Sequence, residues 1–311
     1  MDNITDQFTA LKARHPRRFC LAFGVFDGVH LGHQAIIRAL TDISGKLAAV
    51  PCAVTFEPHP RAVVDPANAP QLLVSPERRA ELLRHYGAEE VVVLPFTGEL
   101  SHLEPEAFLA AISTGELNLA GITVGCAWRF GRNGAGNAAN IKAFSQVRGV
   151  EFLPVEELSM LGAIVSSSRI RTCIADGRIT EATTLLGRSP ELEGIVVHGM
   201  KLATDKLARP TANLNVEYGV LPPNGVYAAM AHSSAGRFPA AVNVGVSPTV
   251  CRGESCGKRV EVHFLGYSGD LYGQRIRVEL KQFIREERCF GSLAELKEQI
   301  DLDISRIRGV L

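Results

Sequence analysis

Phe19-Cys20-Leu21-Ala22-Phe23-Gly24-Val25-Phe26-Asp27-Gly28-Val29-His30-Leu31-Gly32-His33 sets an apolar run of strand length before a glycine-spaced turn that bears two histidines. Beyond it, Ile36, Ile37, Leu40 and Ile43 recur at a spacing that puts them on one helical face. The turn therefore joins the carboxyl end of a strand to the amino end of a helix, where unpaired backbone N–H groups and the helix dipole favour an anion. Gly24, Gly28 and Gly32 let the backbone approach phosphate oxygens closely. His30 and His33, just before the helix or in its first turn, offer ring N–H groups to the same anion. The segment lacks the Lys-Ser/Thr pair of a Walker loop and reads as a site for the phosphates of a nucleotide.

Outward from this turn, short apolar runs near 19–25, 49–56, 90–95, 121–125 and 151–155 alternate with helical patterns near 33–44, 76–86, 105–113 and 138–147. Such alternation predicts an α/β unit, a parallel sheet with helices on both faces. Ligands of such sheets bind outside the carboxyl ends of the strands. Around Gly187-Arg188-Ser189-Pro190-Glu191 the texture changes, and alternating strand patterns follow at 194–197, 226–230, 240–244, 260–264 and 275–280. Their turns hold Pro222-Pro223-Asn224-Gly225 and Ser268-Gly269-Asp270, so a small antiparallel β-barrel is expected. A C-terminal helix from about Ser292 to Ile307 aligns Leu293, Leu296, Ile300 and Ile304. The division expected is residues 1–186 and 187–311.

A chain of 311 residues is long enough for two domains with their own cores, and 46% hydrophobic with 21% charged residues is ordinary for a globular protein. Thirty-three basic and 33 acidic residues cancel, so no nucleic acid and no membrane surface is expected as a partner, and phosphate binding must be local. No leader and no span-length apolar segment is seen, which predicts a cytoplasmic protein; a homo-oligomer stays open. Seven cysteines without Cys-x-x-Cys read as reduced thiols. Cys251 and Cys256 lack a second ligand pair, so no metal site is read there.

The opening string resembles the nucleotidyltransferase signature of bacterial bifunctional riboflavin kinase/FAD synthetases. Further matches follow in family order along nearly the whole chain: Thr55-Phe56-Glu57-Pro58-His59-Pro60, Gly125 to Gly136, Ser166-Ser167-Ser168-Arg169-Ile170-Arg171, Pro210-Thr211-Ala212-Asn213 and Asn224-Gly225-Val226-Tyr227. The resemblance implies an FMN adenylyltransferase domain with a nucleotidyltransferase-like fold, followed by a riboflavin kinase-like barrel. Riboflavin, FMN, FAD and ATP are then the small-molecule substrates and products, with Mg2+ on the nucleotide.

In the first half, His30 and His33 are expected to be catalytic, donating to the attacked α-phosphate, with Gly24, Phe26, Asp27, Gly28 and Gly32 around the nucleotide. Ser167 falls where a helix is capped, and Arg169 and Arg171 suit a phosphate clamp, because guanidinium forks match phosphate oxygens. Phe56, Pro58, His59, Trp128 and Phe130 form the expected flavin wall. In the second half, period-2 alternation puts Glu261, His263 and Leu265 opposite Val260, Val262 and Phe264. Glu261 takes the position of the family's catalytic carboxylate, and Arg285 and Phe290 fall where flavin contacts are expected. Thr211 and Asn213, a hydroxyl and an amide oxygen on one side of an extended segment, are the expected magnesium ligands.

Two departures stand out. Cys126 and Ala127 replace polar residues of the family pattern, removing hydrogen bonds worth roughly 0.5–1.5 kcal/mol each, with Trp128 free to compensate by stacking. The segment from Gly199 to Arg209 keeps one glycine where the family has a Gly-rich phosphate loop, leaving Lys201, Lys206 and Arg209 to act by charge. Two narrower readings therefore stay open: an adenylyltransferase with a degenerate kinase domain, and a non-catalytic flavin- or nucleotide-binding paralogue.

Overall fold

The computed structural model describes residues 2–113, 117–198, 211–246, 258–267, 269–288 and 290–311. Within it the chain forms two compact units: Met1–Pro70 with Pro76–Ser166, and Gln71–Ser75 with Ser167–Leu311.

The first unit is built on strands β1 (Arg18–Phe23), β2 (Ala49–Glu57), β3 (Glu90–Pro95), β4 (Leu119–Gly125) and β5 (Glu151–Val155). All pair parallel, in the order β3-β2-β1-β4-β5. Its helices are α1 (Asp2–Arg14), α2 (Leu31–Lys46), α3 (Pro60–Val64), α4 (Pro76–His85), α5 (Gly98–Ser101), α6 (Pro105–Ser113) and α7 (Ala138–Arg148). Side chains on both faces of β1 are buried, as a doubly covered parallel sheet requires. On one face Phe19, Leu21 and Phe23 cluster with Phe8 of α1, Phe108 of α6 and Ile141 of α7. On the other lies α2: a Cβ on Gly121 would stand 3.0 Å from both Cys20 Sγ and Ile43 Cδ1. The sequence reading missed α1, which buries Ile4, Phe8 and Leu11 at helical spacing. A short hairpin, β6 (Ser159–Met160) with β7 (Ala163–Ile164), ends this unit.

The second unit begins with α8 (Ser167–Ala175) and α9 (Ile179–Leu186) and then winds a closed antiparallel barrel. Its strands are β8 (Glu191–Val197), β9 (Ala212–Tyr218), β10 (Gly225–Ser233), β11 (Gly236–Val246), β12 (Lys258–Phe264) and β13 (Arg275–Arg285). The expected extended segment around Asn213 is the start of β9, which pairs with both β8 and β12 and so closes the barrel. Tyr227, Ala229, Val242, Val260, Val262 and Val278 are buried, none more than 1% exposed. The closing helix α10 (Leu293–Val310) is capped by Ser292, whose Oγ accepts the Glu295 N–H at 3.2 Å. It packs on the outer face of the barrel, where Ile307 meets Ala228 and Leu265, with Ile304 beside them.

The glycine-poor segment 199–209, together with Pro210, Cys251, Cys256, Ser268 and Cys289, lies outside the described residues, as does the side chain of Leu293.

Candidate functional site

In the first unit the strand order reverses between β1 and β4, and the crevice outside their carboxyl ends is where open α/β sheets take ligands. β1 leads into the Gly24–His33 turn and β4 into Cys126–Phe130, so the sequence signature and the aromatic segment flank that point.

The turn is strained at its centre. Phe26 is left-handed at φ 54° and ψ 23°, Val29 has φ 38°, and Gly28 has φ 77°. Each non-glycine residue in this region costs on the order of 1–3 kcal/mol, strain that persists only where packing over-determines it. Phe26 and Val29 are fully buried and Asp27 is 2% exposed. His30 is the N-cap of α2: its Nδ1 accepts the His33 backbone N–H at 3.3 Å. A neutral His30 ring then carries its proton on Nε2. The two imidazoles stack at 3.6 Å between centroids and 17° between planes, and the Phe26 ring meets His33 edge-on at 5.2 Å.

The glycines have a role the sequence reading did not give them. A Cβ on Gly24 would stand 2.8 Å from the Phe26 ring, and one on Gly32 3.2 Å from the His30 ring. Those two glycines make room for side chains of the turn, whereas Gly28 supplies the positive φ.

Beside the turn opens a cavity of about 610 Å3, lined among others by Val25, Phe56, Phe96, Phe108, Trp128 and Phe130. Trp128 stacks on Phe23 at 5.5 Å and on Phe130 at 4.8 Å, so its faces are engaged by the wall itself. Phe56 lies at the end of β2, while Pro58 and His59 do not line the cavity. They turn the chain into α3, whose N-cap is His59, its Nδ1 accepting the Arg61 N–H at 3.1 Å. At the drifted position, the Cys126 thiol donates to Glu156 Oε1 at 3.4 Å, and burial with the nearby Glu156 raises its pKa.

Ser167 opens α8, as expected, but the arginines that follow are engaged within the second unit. Arg169 pairs with Glu181 at 2.9 Å, and Arg171 Nε donates to the Gln71 carbonyl at 2.7 Å. A phosphate clamp would have to draw Arg169 from Glu181, whose pKa is lowered by Arg169 and Arg178.

In the second unit a cavity of about 350 Å3 lies against the outer face of the barrel beside α10. Four expected residues line it together: Thr211, Glu261, Arg285 and Phe290. Pairing across β11, β12 and β9 aligns Asn243, Glu261 and Asn213 in one row. Arg285 is fixed by Asp303 of α10, with Nε and Nη2 both 2.9 Å from Oδ2, and its guanidinium stands 5.7 Å from the Phe290 ring centroid. Asp303 went unread in the sequence because it stands 18 residues from Arg285 and meets it only where α10 folds back on β13.

The expected magnesium pair does not hold in this arrangement. Asn213 Oδ1 accepts two N–H groups of Arg259, at 2.7 and 2.5 Å, and Arg259 also reaches Glu261 Oε1 at 2.9 Å. A divalent cation on the same oxygen would face a guanidinium at hydrogen-bond distance, so the Thr211–Asn213 pair does not fit the ion as it stands.

The FAD synthetase family model matches residues 12–169, and the riboflavin kinase family model matches residues 186–311. A bifunctional riboflavin kinase/FMN adenylyltransferase of Pseudomonas fluorescens is 34% identical over 299 residues, 96% of this chain and 94% of its own length. The protein of that name from Escherichia coli K12 is 31% identical over 93% of this chain and 91% of its own length. A crystal structure of a macrolide-efflux protein from Streptococcus pneumoniae superposes with a TM-score of 0.81 at 28% identity, covering 94% of this chain and 95% of that one. Despite that protein's transport name, no helix among the described residues here is long and apolar enough to cross a membrane. With both family models matched in order and relatives aligned over nearly their full length, the chain belongs to the bifunctional riboflavin kinase/FMN adenylyltransferase family.

Proposed function

We propose that this chain phosphorylates riboflavin to FMN in its carboxyl half and adenylylates FMN to FAD in its amino half, with a functional division at 186/187. The observation that carries the reading is the convergence of Thr211, Glu261, Arg285 and Phe290 on one cavity within the span matched by the riboflavin kinase model.

In the kinase step, Glu261 takes the proton of the ribityl 5′-hydroxyl as that oxygen bonds to the γ-phosphorus of ATP and the bond to ADP breaks. The Arg259 guanidinium on Oε1 orients the carboxylate and leaves Oε2 to face the hydroxyl. Arg285 and Phe290 hold the flavin side. In the adenylyl step, a phosphate oxygen of FMN attacks the α-phosphorus of ATP and pyrophosphate leaves. His30 Nε2–H, the His33 ring and the amino end of α2 stabilise the charge gathering on the α-phosphate oxygens. Phe56, Trp128 and Phe130 form the flavin wall. The described cysteines Cys20, Cys52, Cys126 and Cys173 are free thiols, which supports the reading of a cytoplasmic enzyme.

The purified protein is incubated with ATP, magnesium and either riboflavin or FMN, and the products are resolved chromatographically. Glu261→Ala is expected to lower FMN formation at least about 10²-fold and to leave conversion of supplied FMN to FAD unchanged. His30→Ala with His33→Ala is expected to do the converse. A parent protein that makes FAD from FMN but no FMN from riboflavin would reduce the assignment to an adenylyltransferase. Absence of both reactions would overturn it.

A further inference from the structure

Arg79 is the largest side chain buried below 2% exposure, yet it carries a permanent charge. It projects from α4 beneath the ends of β1 and β2. Its Nη1 donates to the Val25 carbonyl at 3.3 Å, and its Nη2 donates to the Phe56 carbonyl at 3.1 Å and to Glu57 Oε2 at 2.8 Å. Nε finds no partner among the described residues. From within the sheet, Thr55 Oγ1 donates to the same Val25 carbonyl at 2.8 Å.

Desolvating a guanidinium is costly, and one left partly unsatisfied is more so, so the contacts it does make must matter. They are made at the two lips of the first-unit cavity. Val25 and Phe56 both line it; Val25 is the residue before the left-handed Phe26 of the nucleotide turn, and Phe56 belongs to the aromatic wall. Between those segments the β1–β2 ladder gives out: its register ends at Phe23↔Val54, and the Gly24 N–H still reaches the Val54 carbonyl at 3.2 Å. Past it the Thr55 hydroxyl ties β2 to Val25, and Arg79 adds the crosslink that reaches Phe56, bonding to a carbonyl on each side.

We infer that Arg79 is a positioning residue for adenylyl transfer, setting the nucleotide turn and the flavin wall at a fixed separation. It touches neither substrate; it acts through the backbone of Val25 and Phe56. The inference rests on the assignment of adenylyl transfer to this unit. Aligning an attacking oxygen with a phosphorus is sensitive to small displacements, and a misplacement of an ångström can cost about 10²-fold in rate. Its loss should therefore appear in kcat more than in the KM of either substrate.

The intact enzyme supplies its own control, because riboflavin phosphorylation is assigned to the other unit. Arg79→Met is expected to lower kcat for FMN adenylylation at least about tenfold, with KM for FMN and ATP changed less than about threefold. Riboflavin phosphorylation should stay within about twofold of the parent, as independent sites do. Arg79→Lys keeps the charge but cannot span both carbonyls, and should recover part of the rate. Arg78→Met removes the same charge one position earlier and should leave adenylylation at the parental rate. Parental kcat in Arg79→Met, or equal loss of both activities, would overturn the inference. If Arg79→Met does not yield soluble protein, Glu57→Gln decides, since that carboxylate is 35% exposed. A several-fold fall in adenylylation kcat is expected there, and an unchanged value overturns the inference. A parent enzyme unable to convert FMN to FAD would instead sink the assignment on which the inference rests.

Discussion

His232 sits on the outer wall of the barrel, its Nε2 2.8 Å from Glu279 Oε1. Burial lowers its pKa despite the carboxylate beside it, so near neutrality the ring is neutral and donates to Glu279. Burial works against the Glu279 carboxylate in turn, yet Lys281 at 2.7 Å and His232 hold its pKa below the ordinary value. The signs then agree. A histidine whose folded pKa is depressed takes up its proton in the unfolded chain first, near pH 6.5, so stability falls as pH drops from there toward the folded value. The Glu279 contribution is present above its unfolded value and goes as pH falls through its lower folded one. Thermal melts between pH 7.5 and 5.5 should show a falling midpoint, and His232→Gln should flatten that slope; an identical slope in the variant would refute the assignment. At this scale the sequence was legible where one element decides. Glu261 alternates with Val260 and Val262, and that period alone gave its face. Arg79 also had a signal: it shares the i, i+3, i+4 stripe of α4 with the buried Leu82 and Leu83, a charge on an apolar face. The Arg259–Asn213 contact had none, because the two residues meet only through strand pairing.

At the scale of elements, α10 does two things at once. Its Ile307 is fully buried against Ala228 and Leu265 of the barrel wall, and earlier turns present Leu296, Ile300, Asp303 and Ile304 to the second-unit cavity. Ile307→Ala should therefore cost about 2–5 kcal/mol in the stability of the second unit, the range for truncating a buried aliphatic side chain. It should also raise KM for riboflavin by loosening the helix that fixes Arg285 through Asp303, while adenylylation of supplied FMN keeps its rate. Melting curves paired with the two assays check this; a stability loss without a change in riboflavin KM would separate the helix from the site. The face of α10 was readable from Leu296, Ile300 and Ile304, because a helix on a barrel must keep one apolar stripe. Strand β9 was harder. Asn213-Leu214-Asn215-Val216-Glu217 alternates with period two, but asparagine and glutamate are poor strand formers, and only the pairings to β8 and β12 make the segment a strand. Helix α1 was missed for a similar reason, since Ile4, Phe8 and Leu11 are spread among polar residues and gain their burial from the sheet.

At the scale of the molecule, chain order and spatial order part company. The second unit includes Gln71–Ser75, which in sequence lies between two helices of the first. Gln71 Nε2 donates to the Gly219 carbonyl at 2.7 Å, the Gly219 N–H donates to the Leu72 carbonyl at 3.0 Å, and Ser75 Oγ donates to Glu193 Oε2 at 2.9 Å. Leu73 and Val74 are 4% and 5% exposed. This strap could not be read from the sequence, because the segment carries no pattern of its own and is defined only by what it lies against. Helices α8 and α9 add to the same unit, with Ile170, Ile174, Ala182 and Leu185 buried. A fragment of residues 187–311 would lose both the strap and the helix pair, and with them apolar burial worth about 25 cal/mol per Å2 of surface returned to water. It should melt well below the second unit of the intact chain, and its riboflavin phosphorylation should fade on warming before that of the full-length protein. A fragment of residues 167–311 supplied with a peptide of residues 69–77 should regain part of the difference, because the peptide can rebuild the hydrogen bonds to Gly219 and Glu193 and rebury Leu73 and Val74. Calorimetry of the fragments against the intact chain decides the point: if 187–311 melts with the intact protein, the strap and the two helices contribute nothing to the barrel, and the division at 186/187 is also the structural one.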